Sequence, residues 1–227
     1  MSIDSPRLQA WIAQELQRSD VRLVKELSGG NSNVTCLIDT AEGSMVLRTP
    51  PGDTISPKAH RGVAREARVM GALHGHVKVP QVLAWCEDTK IIGRPFALVE
   101  HIDGTSITET LPESYDGVTA INKLGLQLTD QLAAIALAPW QELGLGDIGR
   151  PENFLRRQIE RWLEVRRKSP LRELPALEQI GAWLLENLPP DGPTGVVHGD
   201  YHLDNTLCST SGPVLLAVMD WALATIG

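Results

Sequence analysis

The chain has 227 residues, a net charge of −7 and an apolar fraction of 42%, which allows one domain or two small lobes around a buried core. That acidic balance argues against an electrostatic nucleic-acid binder, because phosphate backbones are held by clustered Lys and Arg. Cys36, Cys86 and Cys208 form no CxxC pair, against a disulfide framework or zinc site, and with no signal-peptide pattern or membrane-length apolar run a soluble cytoplasmic protein without nucleic-acid or membrane partners is expected.

Pro6 to Arg18 predicts a short opening helix with Leu8, Trp11, Ile12 and Leu16 on one face. Three strand-like runs follow, Val21 to Leu27, Val34 to Thr40 and Met45 to Thr49, the last two joined by Ala41-Glu42-Gly43 as a tight hairpin connection. Between the first two lies a small, polar corner, Ser28-Gly29-Gly30-Asn31-Ser32-Asn33. Ser56-Pro57 is a helix start, a cap followed by proline in the first turn, and that helix is expected to run to about Leu73. Val79 to Cys86 and Phe96 to Ile102 read as further strands. After Asp103-Gly104 the character turns helical. Tyr115 to Leu137 carries Val118, Ile121, Leu124, Leu128, Leu132 and Ile135 at intervals of three and four. Pro151 to Lys168, whose arginines read as a wet helix face, and Leu171 to Leu188 complete the helical part. A sheet-rich first lobe over 1–103 and a helical second lobe over 104–227, with the chemistry at their junction, is the expected α+β architecture.

The most informative segment is Val196-Val197-His198-Gly199-Asp200-Tyr201-His202-Leu203-Asp204-Asn205, followed by the apolar run Val214 to Met219 ending on Asp220. Phosphoryl transfer needs a carboxylate to orient the attacking hydroxyl and oxygen ligands for the Mg²⁺ that offsets phosphate charge. Asp200 to Asn205 has the D-x-x-x-x-N spacing of a protein-kinase catalytic loop. Asp200 is thus the candidate base, and Asn205 and Asp220 the candidate metal ligands. Upstream, Arg48 ends the third strand, where a kinase places the cation that meets the α/β-phosphates, and Glu66 on the next helix is placed to pair with it. The Ser28 to Asn33 corner offers backbone N–H groups to phosphates, since glycine permits close approach. Leu98-Val99-Glu100-His101-Ile102 is the expected connection whose backbone, around Glu100 and Ile102, receives an adenine edge. Each upstream feature alone has a bland alternative: a hairpin turn, a solvated ion pair, a surface arginine. Their order together with Asp200, Asn205 and Asp220 favours the chemistry.

In these residues the chain resembles the aminoglycoside phosphotransferase and choline kinase group of small-molecule kinases, which share the protein-kinase-like fold. His198-Gly199-Asp200 with Asn205, the Asp220-Trp221 pair in place of Asp-Phe-Gly, and Leu27 to Asn33 carry the likeness. Val46-Leu47-Arg48 with Pro50-Pro51-Gly52, and Asp220-Trp221 with Leu223-Ala224-Thr225-Ile226-Gly227, are similar to the kinase-like domain associated with certain acyl-CoA dehydrogenases. The resemblance implies a two-lobed fold, ATP and Mg²⁺ as cofactors, a small-molecule hydroxyl as acceptor, a hydroxyacyl-CoA or an aminoglycoside-like compound among them, and a functional link to an acyl-CoA dehydrogenase. It also implies that Asp200 is the base, Asn205 and Asp220 hold Mg²⁺, and His198 supports the loop. Three departures stand out. Arg48 replaces the Lys usual in the group, and its planar fork is not equivalent to an ammonium. Ala222 stands where related chains often carry Glu. The group continues through further helices beyond the position of Gly227, so a C-terminally truncated second lobe is expected.

Two other functions fit parts of the pattern. His198, Asp200, His202 and Asp204 alternate, so on a strand they would share one face, as in a metallohydrolase; Gly199 breaks that regularity, and Asn205 and Asp220 go unexplained. A truncated pseudokinase or nucleotide-binding module without turnover is the other alternative.

Overall fold

The computed structural model describes residues 5–27, 33–51, 57–169, 172 and 174–227. Helix α1 (Pro6–Leu16) starts where Ser5 accepts the Leu8 N–H, the cap-then-proline pattern that satisfies a free first-turn donor. It buries Leu8 and Ile12, and Trp11 meets Phe96 edge-on at 4.9 Å between ring centroids. Strands β1 (Arg22–Leu27), β2 (Val34–Thr40), β3 (Gly43–Thr49), β4 (Val82–Cys86) and β5 (Phe96–Glu100) form one sheet in the order β1-β2-β3-β5-β4. Every adjacent pair is antiparallel. Thr40 pairs with Gly43, so the hairpin turn is Ala41-Glu42 and β3 begins ahead of the expected Met45. Gly43 sits at φ +121°, open only to glycine.

Helix α2 (Pro57–Leu73) enters the chain between β3 and β4 as expected. Two strand bounds shift. β4 begins at Val82 rather than Val79, past Pro80, which has no N–H for a ladder. β5 ends at Glu100 rather than Ile102. The short α3 (Thr89–Ile92) has no counterpart in the sequence prediction; its signals are local, an Asp88 cap on the Lys90 N–H and Gly93 at φ 87°, and four residues cannot show helical periodicity.

Helices α4 (Gly117–Leu137), α5 (Phe154–Arg167) and α6 (Pro175–Glu186) follow, then β6 (Val196–Val197), β7 (Thr206–Cys208), β8 (Leu215–Val218) and β9 (Thr225–Ile226). β6 pairs with β9 and β7 with β8. The predicted inner face of α4 is only partly inside. Leu124 and Ile135 are buried, whereas Val118, Ile121 and Leu132 are exposed, because the strands that α4 packs on, β6 and β8, reach only one side of it. One continuous core joins Val46, Val63 and Met70 to Ile135, Val196, Val218 and Trp221. The sheet and the helical part are also tied through Lys78, whose Nζ donates to Leu215 O at 2.7 Å and whose carbonyl accepts the Val218 N–H at 2.7 Å. Among the described residues, no helix is long and apolar enough to cross a membrane.

Candidate active site

Strand β6 ends at Val197, and the chain turns sharply at Gly199, where φ is +89° and an added Cβ would lie 2.7 Å from Leu223 O. Any side chain there would both strain the backbone and push the 221–227 segment away. The turn exposes Asp200. A single 3₁₀ turn, Leu203–Asn205, then brings Asn205 back, and its Nδ2 donates to Asp200 O at 2.9 Å and to Asp200 Oδ2 at 3.0 Å. Asn205 Nδ2 also lies 3.1 Å from His202 Nε2. With Nδ2 directed to these acceptors, Oδ1 is the amide atom left to accept or coordinate.

His198 ties this loop to the strand that precedes Asp220. The Asp200 N–H donates to Nδ1 at 3.3 Å, which assigns the ring proton to Nε2, and Nε2 donates to Met219 O at 2.9 Å. Burial pushes the His198 pKa down, in keeping with a neutral ring. The Met219 N–H in turn donates to Asn205 O at 2.8 Å. The segment is therefore bonded on both sides, and Trp221 anchors it from below: fully buried, with Nε1 donating to Val218 O at 3.0 Å. Asp220 is held at φ 58°, ψ 67°, a left-handed conformation that costs a non-glycine residue about 1–2 kcal/mol. One backbone bond from Met219 to Asn205, the two Asn205 bonds to Asp200 and the two His198 ring bonds thus tie the Asp200–Asn205 loop to the residue that precedes Asp220.

The upstream pair forms as expected. Arg48 Nη2 lies 2.9 Å from Glu66 Oε1, and Arg48 Nε donates to Glu66 Oε2 at 3.1 Å. Glu66 is 1% exposed, so the bland alternative of a solvated ion pair does not apply. Burial pushes its carboxyl upward, Arg48 opposes that, Asp220 adds to it, and the nearby Trp221 backbone N–H lowers it slightly. Glu66 therefore pairs with the strand-end cation, and its helix packs on the Trp221–Leu223 turn that follows Asp220. Asn33 Nδ2 reaches Glu66 Oε2 at 3.5 Å, so Asn33 faces the ion pair rather than only the corner it was read as part of. Ser28, Gly29, Gly30, Asn31 and Ser32 lie outside the described residues. Glu100 is turned toward the β4 side: its N–H donates to Gln81 O at 2.8 Å and its Oε2 accepts the Gln81 N–H at 3.2 Å. Ile102 follows the end of β5, half-buried.

Sequence reasoning missed the role of Arg65. Its Nη1 donates to both Ile148 O and Ala224 O at 2.7 Å, fastening the helix that carries Glu66 to the segment that follows Asp220. Beside it, Arg68 pairs with Asp147 at 2.6 Å. In sequence Arg65 is one of three closely spaced arginines with Arg61 and Arg68, and no spacing signal marks it as different. The metallohydrolase alternative fails on geometry: the chain leaves β6 at Val197 and curls through the 3₁₀ turn, so the alternating His and Asp residues share no strand face. Among the described residues no group of three or more His, Cys, Asp or Glu side chains could hold a metal ion.

The family model for the phosphotransferase enzyme family matches residues 23–227. The chain belongs to this family. It is 36% identical over 205 residues to acyl-CoA dehydrogenase family member 10 of Mus musculus, covering 87% of this chain and 18% of that protein. It is 30% identical over 234 residues to acyl-CoA dehydrogenase family member 11 of Homo sapiens, covering 99% and 29%. The chain thus spans less than a third of these curated relatives. Among solved structures it matches a Ralstonia eutropha JMP134 protein named as an aminoglycoside phosphotransferase, at 32% identity and TM-score 0.85, over 99% of this chain and 66% of that one. The GDP and kanamycin complex of an aminoglycoside phosphotransferase matches at 19% identity and TM-score 0.70, over 97% and 74%. The fold is kinase-like and α+β, as the sequence led one to expect.

For a member of this family the donor set at the site fits Mg²⁺. That ion is usually held by one or two protein oxygens together with nucleotide phosphates, not by an all-protein cage. Asp220 offers a carboxylate, and Asn205 offers Oδ1, since its Nδ2 is directed to Asp200.

Proposed function

We propose that this chain transfers the γ-phosphoryl group of ATP to a hydroxyl of a small molecule. Residues 1–103 act as the nucleotide-binding lobe and residues 104–227 carry the catalytic loop. The observation that carries the proposal is the bonded convergence of Asp200, Asn205 and the Met219-Asp220 segment. Asp200 accepts the acceptor's hydroxyl proton as its oxygen bonds to phosphorus, while the bond to the bridging oxygen of the β-phosphate breaks and ADP leaves. Asn205 and Asp220 would hold Mg²⁺, which when bound would neutralise phosphate charge. Arg48, fixed by Glu66, meets the α/β-phosphates as a permanently charged fork. The Ser28, Gly29, Gly30, Asn31, Ser32 and Asn33 corner covers the phosphates, and the chain from Glu100 to Ile102 receives the adenine. Because Glu100 N–H is taken by Gln81 O, Ile102 is the residue whose N–H we assign to that edge. Catalysis is positioning plus electrostatics, so few residues need to be reactive.

The nucleotide-bound neighbour supports the nucleotide, and the relatives' names support a functional link to an acyl-CoA dehydrogenase and a hydroxyacyl acceptor over an aminoglycoside-like one. Three free, buried cysteines agree with action in a reducing cytoplasm. The test is transfer of label from γ-labelled ATP, and separately GTP, to a panel of hydroxylated metabolites. Asp200→Ala is expected to keep nucleotide affinity and lose transfer. Nucleotide binding without transfer to any hydroxyl in the panel would favour the non-catalytic module instead.

A further inference from the structure

A hollow of about 560 Å³ lies between the 146–150 loop, α5 and β9. Its wall carries Arg150, Arg157 and Arg161 together with Gln158 and Thr225. The acid on that wall, Asp147, is already bonded by Arg68 at 2.7 and 2.6 Å. Three arginines therefore line one hollow whose single acid is already paired, in a chain whose net charge is −7. The arginines are not all loose. Arg157 is half-buried and donates from Nε to Glu152 O at 3.1 Å and from Nη2 to Arg150 O, which fixes both the fork and the loop that carries Arg150. Arg161 lies over the Trp162 ring at 5.9 Å. Guanidinium forks so arranged suit an oxyanion and disfavour a cation.

The hollow also has a fixed relation to the catalytic loop. Thr225 pairs with Val197, three residues before Asp200. Paired strand residues lie about 5 Å apart and three extended residues span at most roughly 11 Å, so Thr225 is within about 16 Å of Asp200. Arg65 ties the same loop, at Ile148 O, to Ala224 O.

Resting on the phosphotransfer function above, we propose that this hollow binds the phosphate-bearing end of an elongated acceptor whose hydroxyl is presented to Asp200. The acceptor is thus an anionic alcohol, with its charge on the order of 10–15 Å from the oxygen that is phosphorylated. A carboxylate shares the oxyanion chemistry, but three arginines lining one hollow match the higher charge of a phosphate.

The test uses pyrophosphate as the phosphate probe and succinate as the carboxylate probe, in calorimetric titrations of the full chain. Asp220→Ala serves as a background in which the nucleotide site is impaired. Pyrophosphate is expected to bind wild type and Asp220→Ala alike, and to bind Arg150→Gln/Arg161→Gln at least about tenfold more weakly. Both arginines are exposed, and equal melting temperatures for the variant and wild type verify that it is folded. In transfer assays the same variant should lower the preference for phosphorylated over unphosphorylated alcohols, as a KM ratio, by a similar factor. Tighter binding of succinate would overturn the phosphate assignment. Pyrophosphate binding that vanishes in Asp220→Ala but survives in the arginine variant, or is absent altogether, would overturn the site. ATP titrated in parallel separates the two hypotheses: loss of ATP binding in wild type refutes the phosphotransfer function while the pyrophosphate result stands by itself.

Discussion

Replacing Arg48 by Met removes the partner of a carboxylate that is 1% exposed. Breaking a buried pair in this way costs about 3–5 kcal/mol. Glu66 Oε2 keeps the 3.5 Å contact from Asn33 Nδ2, so the lower end, about 3 kcal/mol, is expected. For a chain of this length that is a fall in melting temperature of about 6–12 °C. The deficit depends on pH, and its sign follows from Glu66. Burial already holds its folded pKa above the ordinary carboxylate value, and Arg48 is the strongest opposing influence; without Arg48 it rises further. The folded state then binds the proton more tightly than the unfolded chain. Stability is complete below the ordinary Glu range and lost as pH climbs through the raised value. Thermal unfolding followed by circular dichroism should show a larger deficit at pH 8 than at pH 5. Adding Glu66→Leu should recover most of the loss, because an apolar pair replaces a lone buried charge. An equal deficit at both pH values, or a double variant no better than Arg48→Met, would refute a buried ionised Glu66 held by Arg48.

Gly199→Ala is expected to lose about 1–3 kcal/mol in urea titrations, from a φ of +89° and a Cβ against Leu223 O; unchanged stability would mean the turn can relax freely. His198 has a pKa depressed mainly by burial, so its contribution is present above the ordinary histidine value and fades as pH falls below about 6.5. The stability gap between wild type and His198→Asn should accordingly narrow from pH 7.5 to pH 5.5, and a constant gap would contradict a neutral, buried ring. Asp220→Ala should weaken ATP binding measured with Mg²⁺ by at least about tenfold, while leaving Mg²⁺-free binding unchanged.

Much of the fold and the contacts among the candidate site residues were legible because the signals are local. Thr40 to Gly43 closes a hairpin whose turn chemistry is contiguous, and Ser5-Pro6 marks a helix start with a cap that needs no partner elsewhere. The Asp200 to Asn205 interval is likewise contained in one turn, and the side chains meet at 3.0 Å. What escaped were relations between distant segments. Arg65 looks like its neighbours Arg61 and Arg68, and only the approach of Ile148 and Ala224 gives it two carbonyls to bind. Strand β9 is two residues long and exists because Val196 and Val197 lie alongside it, so no periodicity announces it. The α4 stripe shows the reverse failure: spacing identified an apolar face through Val118, Ile121 and Leu132, but spacing does not say what covers it.

The most direct measurement is a crystal structure with Mn²⁺ and a non-hydrolysable ATP analogue, read by anomalous scattering. The ion should lie about 2.0–2.3 Å from Asn205 Oδ1 and from a carboxylate oxygen of Asp220, with the γ-phosphate directed toward Asp200. An ion held by other residues, or a nucleotide bound away from the Arg48–Glu66 pair, would contradict the phosphotransfer chemistry proposed for this chain.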